Sequence, residues 1–521
     1  MFKGHPKALY ALALANTGER FGYYTMLAVF ALFLRANFGL DAGVAGAIYS
    51  TFLGLVYFMP LLGGILADKF GYGKMVKLGI SVMFVGYLLL SLPLGGVDTP
   101  ETTKLAMVAM LGALAFIALG TGLFKGNLQV LVGNLYDDPK YSAKRDEGFS
   151  IFYMAINLGS MFAAAVALSI MAWTREAYNV SKADSYHFAF AVACVSLILS
   201  IIIYYAFRKT FIHADRAKVA VKGAEVVEEN LTPAQTKERI ICLCLVFAVV
   251  IFFWMAFHQN GITMNQFARE YTATSETGFM SLFLSSSLSF TEFRSFWNLI
   301  LCVLMVYGIL NIFQSKTAKG KTIAGVLTVA TGGLLAYRAM NITGSVLVEA
   351  PIFQQFNPCF VVALTPIIGI IFAKLAKKGK EPSSPMKIGL GMLVAAMAFI
   401  ILMVASWTLP PAAEQLAAVE AGTATLVSPN WLISTYFVLT IAELLLSPIG
   451  ISFVSKVAPP KYKGMMMGGW FVATAIGNFL IMVPGLMWGM DLTIIWGVLI
   501  GICLLSAGFI FSILNRLEKV A

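Results

Sequence analysis

Five ionisable side chains stand inside long apolar stretches of this sequence: Glu19, Arg20, Lys125, His258 and Glu443. A charge at the centre of a bilayer costs about 2.5–3.5 kcal/mol on insertion scales, so each is a candidate for function. Glu19 and Arg20 occur in GERFGYYTM, where helical spacing sets Tyr23 and Tyr24 one turn beyond them on a shared polar face. Lys125 follows GTGLF and precedes Gly126-Asn127, so glycines admit neighbouring backbone close to a positive centre. Three further pairs sit four residues apart and face the same way on a helix: Tyr153 with Asn157, Trp254 with His258, and Glu443 with Ser447, the last beside the ladder-breaking Pro448. Histidine is the one side chain here whose ordinary pKa lies near neutrality.

The charges suggest a ligand. Arg20 and Lys125 are positive and lie in the N-terminal half; Glu19 offsets one of them, while Glu443 is negative and lies in the C-terminal half. A cavity between the halves would be positive on one wall and negative on the facing wall. A zwitterion with its carboxylate and ammonium several ångströms apart fits such a cavity, and a di- or tripeptide is one, at up to about 3.6 Å per residue. Tyrosine, tryptophan and asparagine around the charges suit varied side chains and the peptide group.

The elements that must position these residues are membrane helices. Of 521 residues 59% are hydrophobic and 12% charged, against roughly 25% charged in soluble domains, and the mean hydropathy is +0.82. Stretches of about 20 apolar residues span a bilayer. Fourteen are readable, near 9–35, 44–67, 76–97, 104–133, 148–173, 187–207, 239–268, 295–314, 322–340, 350–373, 387–409, 431–455, 464–487 and 492–515. The first lacks a small-residue cleavage site and reads as a retained helix. With the N-terminus cytoplasmic, the inward segments hold 28 of the 37 basic residues. Cytoplasmic loops collect Lys and Arg, and one span more or fewer would invert every later loop. The expectation is a multi-pass protein of the cell inner membrane with both termini cytoplasmic. The net charge of +11 is accounted for by those flanks, leaving no need for nucleic acid as a partner.

The longest charged interruption runs from Arg208 to Lys237 and separates six spans from eight. It divides the chain into an N-terminal six-helix bundle (1–207), a cytoplasmic linker (208–238) and a C-terminal bundle (239–521) with an inserted transmembrane hairpin near 294–340, read as a lipid-facing support. The six cysteines fall in apolar stretches without ligand spacing, so neither disulfide nor metal site is expected. Residues Ser315–Thr322, SKTAKGKT, lack the first glycine and the preceding strand of a phosphate-binding loop, which argues against nucleotide. No H-E-x-x-H or G-x-S-x-G is present, so no catalytic residue and no enzyme activity are assigned. No cofactor is expected, and the expected functional unit is a monomer.

At these residues the chain resembles the proton-dependent oligopeptide transporter family of the major facilitator superfamily. HPKALYALALANTGERFGYY is similar to its E-x-x-E-R-F-x-Y-Y opening, GLFKGN to F-K-P-N on helix 4, and FYMAINLGS to F-Y-x-x-I-N-x-G-S on helix 5. FWMAFHQNG, FQQFNPCFVVALTP and ELLLSPIGISFVSKVAP resemble its segments on helices 7, 8 and 10, and GGILADKFGYGKMVKLG the superfamily loop motif between helices 2 and 3. The resemblance implies an all-α polytopic fold of two six-helix bundles, here with about 14 helices, that imports di- and tripeptides by proton symport through alternating access. It further implies Arg20 and Lys125 at the peptide carboxylate and Glu443 at its amino terminus. Tyr23, Tyr24, Tyr57, Asn157, Trp254, Asn357 and Ser447 would line the pocket. Glu19, Arg20, Lys125 and His258 would take part in proton coupling. The sequence departs from the pattern where Asn16 and His258 replace carboxylates, where Gly126 replaces a proline, and where the hairpin follows helix 7 instead of helix 6. The alternatives are a transporter of another small solute (amino acid, nitrate or peptide-like drug), or one with altered proton coupling.

Overall fold

Long apolar runs leave the α-helix as the local solution in a bilayer, because every backbone N–H and C=O is then bonded within its own segment. The computed structural model describes residues 3–40, 42–93, 100–215, 231–284, 294–342, 344–348 and 350–521. Its first seven helices are α1 (Lys7–Phe38), α2 (Ala42–Phe70), α3 (Tyr72–Ser91), α4 (Pro100–Leu135), α5 (Arg145–Tyr178), α6 (Lys182–Ala206) and α7 (Pro233–Phe257). Then come α8 (Thr263–Glu270), α9 (Ser281–Leu284), α10 (Arg294–Gln314), α11 (Ala318–Met340), α12 (Phe356–Lys377) and α13 (Ser384–Ala405). The last are α14 (Ala412–Glu420), α15 (Asn430–Val457), α16 (Lys463–Leu480), α17 (Met482–Leu486), α18 (Leu492–Ser512) and α19 (Leu514–Val520).

Local chemistry sets several of these ends. Thr232 and Gln235 form a reciprocal capping box at the start of α7, and Ser383 caps α13 by accepting from the Met386 N–H. Gly39, at φ 62°, lets α1 turn away in the left-handed conformation.

Fourteen of the described helices are long and apolar enough to cross a membrane, as the sequence indicated: α1 to α7, α10 to α13, α15, α16 and α18. Two spans are broken near one end. After Phe257 the chain tightens into a 3-10 turn over His258–Gly261 before resuming as α8, at the turn-forming Asn260-Gly261. α16 likewise yields to α17 past Ile481.

Among the N-terminal helices α1 packs on α5 and α6, α3 on α4 and α6, and α2 on α4; in the C-terminal half α13 packs on α15 and α18, α7 on α16 and α18, and α12 on α15. The halves meet through α2 with α16, α5 with α12 and α15, and α4 with α15 and α16. This is the major facilitator arrangement, two six-helix bundles with one extra hairpin. Of the linker 208–238, residues 216–230 lie outside the described residues; its first turn docks on the N-terminal bundle, with Asp215 accepting from the Gly73 N–H at 2.8 Å.

The described ends of the chain and its lysine-rich loops share one face, here called the terminal face. Lys144 donates to the Lys3 carbonyl at 2.7 Å and Arg516 pairs with Glu238 at 2.5 Å. At the opposite face a two-stranded antiparallel ladder, β1 (Ser275–Glu276) with β2 (Val346–Leu347), pairs Ser275 with Leu347. The two helices of the hairpin differ. In α11 only 17% of the most apolar window is buried and Val329 is 74% exposed, as a lipid-facing helix requires. α10 instead reaches both bundles: the Tyr307 hydroxyl lies 3.1 Å from the Val362 carbonyl of α12 and 3.1 Å from Met154 Sδ of α5, sharing its one proton between them.

Candidate functional site

Where the bundles face each other they enclose a cavity of about 670 Å³, within the usual range of small-molecule sites. Arg20, Tyr24, Tyr57, Lys125, Asn157, Trp254, His258, Asn357, Glu443 and Ser447 all line it. Two candidates do not. Tyr23 is buried behind Arg20, whose guanidinium carbon lies 4.6 Å from its ring centroid; consecutive helical residues point about 100° apart, so only one of Tyr23 and Tyr24 meets the cavity. Glu19 is buried too, and its carboxylate receives Nε and Nη2 of Arg20, each at 2.5 Å.

This pairing leaves Lys125 as the cation with the least compensation. Its ammonium lies 4.1 Å from the Tyr57 ring centroid and 4.6 Å from that of Phe471 on α16, and among the described residues no carboxylate lies within ion-pair distance of it. Two ring faces stabilise a cation without neutralising it. The opposing carboxylate, Glu443, accepts from the Tyr153 hydroxyl at 2.5 Å and from Asn357 Nδ2 at 2.7 Å. Both donors are neutral, so its charge is likewise oriented and not cancelled. Asn357 is itself steadied by Thr440 at 3.1 Å. His258 stacks on Trp254 with ring centroids 4.8 Å apart, and its Nδ1 lies 2.5 Å from Asn478 Oδ1 on α16.

Several lining residues had no place in the sequence reading of the site. Tyr153 was visible only as a partner of Asn157 at helical spacing. Tyr49, Gln129 and Phe471 carry no signal in apolar helices, and Asn478 meets His258 across 220 positions of chain. Asn127, from the GLFKGN segment, turns away from the cavity and ties α4 to the Gly63 carbonyl of α2 at 3.0 Å.

The cavity extends unequally. On α1 it runs from Arg20 to Ala28 and on α5 from Tyr153 to Leu168, about 12 and about 22 Å at 1.5 Å per residue, both away from the terminal face, while on α15 it reaches the other way only from Glu443 to Ile451, about 12 Å. Toward the terminal face the bundles are closed by polar contacts. Asp68 at the end of α2 accepts from the Gly464 and Met465 N–H groups at 2.8 and 2.9 Å, where the N-terminus of α16 favours an anion. Asp146 accepts from Ser452 at 2.5 Å, Ser384 at 3.0 Å and Lys387 at 3.1 Å. Arg145 reaches Ser455 at 3.0 Å, and Asp137 joins Arg145 at 2.6 Å to Lys463 at 3.0 Å. Gly64 is needed here because a Cβ at that position would collide with the Gly464 carbonyl.

Asp137 lies outside the spans. Its burial works against ionisation, yet Lys463 and Arg145 outweigh that and hold its carboxyl below the usual carboxylate range. A carboxyl depressed on folding contributes its stabilisation above the unfolded pKa of about 4 and loses it only as pH falls through the lower folded value. Closure through Asp137 is therefore expected to persist from about pH 5.5 to about pH 8. Spin labels on Lys140→Cys and Lys461→Cys would read the separation of the bundles at this face; a distance that changes within that window contradicts the assignment.

Comparison with known proteins agrees with this architecture. The POT family model matches residues 74–226 and 334–484. The uncharacterized transporter YclF of Bacillus subtilis is 29% identical, over all of this chain and 96% of that protein. Peptide transporter YePEPT of Yersinia enterocolitica is 29% identical over 92% of this chain and 87% of its own, and dipeptide and tripeptide permease A of Escherichia coli is 27% identical over 91% and 83%. Among solved structures, a peptide transporter POT in complex with alafosfalin is 27% identical, with a TM-score of 0.53 over 100% of this chain and 96% of that one. A POT family transporter in complex with 5-aminolevulinic acid shares the fold at a TM-score of 0.60 and 20% identity, over 99% and 98%. Because the family model covers more than half of the chain and reaches into both bundles, the chain belongs to the POT family.

Proposed function

We propose that this protein imports di- and tripeptides across the cell inner membrane by proton symport, acting as a monomer through alternating access. The observation that carries the reading is the pair of uncancelled charges in one cavity. Lys125 stands between two aromatic rings, and among the described residues Glu443 is held only by Tyr153 and Asn357. A peptide's carboxylate would meet Lys125 and the side of Arg20 that lines the cavity, and its ammonium would meet Glu443. Asn157, Tyr24, Tyr57, Trp254 and Ser447, which line the same cavity, supply hydrogen bonds and apolar surface without demanding one side chain. The printed names of the related peptide transporters and permeases support the same cargo.

The basic residues concentrated on the terminal face favour a cytoplasmic location for both termini. In that orientation the arrangement described is outward-facing, with the site open away from the cytoplasm and the Asp146 and Asp137 contacts closing the inner side. Uptake of labelled dialanine into proteoliposomes, with the pH gradient and the membrane potential varied separately, tests the reading. Accumulation driven by an inward proton gradient and competed by dipeptides is expected; transport competed only by single amino acids or nitrate would replace it.

Proton handling is assigned to the Glu19–Arg20 pair and His258 together with Lys125. A peptide's charges, held in the same cavity as Arg20, Lys125 and His258, would act on these groups directly, which couples protonation to peptide binding. His258→Ala is expected to bring gradient-driven uptake down to near the rate seen without a gradient. Gradient dependence equal to that of the unaltered protein would remove His258 from the coupling.

A further inference from the structure

The first helix of the inserted hairpin enters the cavity wall. Ser295 and Phe296, in the first turn of α10, line the same space as Lys125 and Glu443. Phe296 also packs edge-on against Phe162 of α5, with ring centroids 5.7 Å apart, so the contact crosses the seam between the bundles. About three turns further along α10, Tyr307 fastens the helix to α5 and α12 at once. The outer end is fixed as well. Asn298, fully buried, donates to the Leu282 carbonyl at 2.8 Å and accepts from Arg338 of α11 at 2.6 Å. A helix that served only as lipid-facing support would need none of these fixtures.

The wall beside Phe296 is apolar and roomy. Ala164, Ala165 and Leu168 of α5, Ala28 of α1 and Ile352 before α12 line the part of the cavity farthest from the terminal face. The charged groups lie deeper, near Arg20, Lys125 and Glu443. A peptide anchored by both its termini at those charges would direct a side chain outward, toward this surface. We propose that Phe296 is a specificity-determining residue: the hairpin supplies one wall of an apolar subsite that receives a substrate side chain at the outer end of the cavity. This rests on the peptide reading and deepens it.

Two measurements test it. In the first, unlabelled Ala-Ala, Ala-Leu and Ala-Phe compete against labelled dialanine uptake. Phe296→Ala is expected to cut the advantage of Ala-Phe over Ala-Ala by about tenfold, the scale set by apolar pocket contacts. Val329→Ala, on the exposed side of α11, leaves that ratio unchanged. An equal loss for all three dipeptides, or none, overturns the proposal. The second measurement does not depend on the cargo. With Cys244 replaced by serine, Phe296→Cys is expected to react with a membrane-impermeant maleimide added at the face opposite the termini. Failure to react overturns the placement of Phe296 in an open cavity, whereas reaction combined with absent dipeptide uptake would instead overturn the peptide reading.

Discussion

Glu443→Gln is expected to lower dialanine uptake by about 100-fold. The substitution preserves volume and lets the Asn357 amide keep an oxygen to bond, so the loss is chiefly that of charge. In the free cavity Glu443 is held by neutral donors, Tyr153 at 2.5 Å and Asn357 at 2.7 Å. The incoming ammonium would therefore be its first ionic partner. Truncating one member of a buried hydrogen-bonded charge pair costs about 2–5 kcal/mol, and each 1.4 kcal/mol is about tenfold. Acetylation of the peptide's amino terminus removes the same interaction from the other side. N-acetyl-dialanine should thus compete poorly with the unaltered protein and lose little more in Glu443→Gln. If the variant weakened acetylated and free peptides by the same factor, Glu443 would be structural. Lys125→Gln against a C-terminally amidated peptide forms the matching pair, and Tyr153→Phe should give about a tenfold loss, the scale of one hydrogen bond to a charge.

Asp146→Asn is expected to loosen the terminal face, shifting the ratio of closed to open forms by roughly 10- to 100-fold, or about 1–3 kcal/mol. One carboxylate gathers Ser384 and Lys387 of α13 and Ser452 of α15 onto the start of α5. Lys387 is 2% exposed and cannot regain water without the bundles parting. Breaking a buried pair from one side costs about 3–5 kcal/mol; Glu381, still 2.7 Å from Lys387, and the partial exposure of Asp146 reduce that figure. Spin labels at positions 140 and 461 should report a longer distance in the variant, and peptide uptake should slow because the outward-facing state is less populated. An unchanged distance would mean that the Asp68, Arg145 and Asp137 contacts suffice for closure.

Much of the architecture was legible in the residues themselves. The fourteen spans follow from hydropathy and length, because a bilayer admits few structures in which the backbone bonds to itself, and the even count follows from where Lys and Arg fall. The intramembrane charges announced the site for the same reason: a buried charge is too costly to keep without use. Resemblance over six ordered segments added the pocket residues, and the cavity lining includes most of them.

What sequence could not decide was direction and partnership, since helical spacing gives faces without saying what each face meets. It grouped Tyr23 with Tyr24, yet the packing of α1 turns only Tyr24 to the cavity. It set Arg20 and Lys125 together as two cations, whereas the bidentate contact with Glu19 occupies Arg20 and leaves Lys125 with aromatic rings alone. Partners hundreds of residues away, Asn478 for His258 and Tyr153 for Glu443, exist only once the bundles are docked. The hairpin shows the limit most plainly: composition made both its helices alike, and only the tertiary structure distinguished α11, which faces lipid, from α10, whose first turn closes the cavity wall where the two bundles meet.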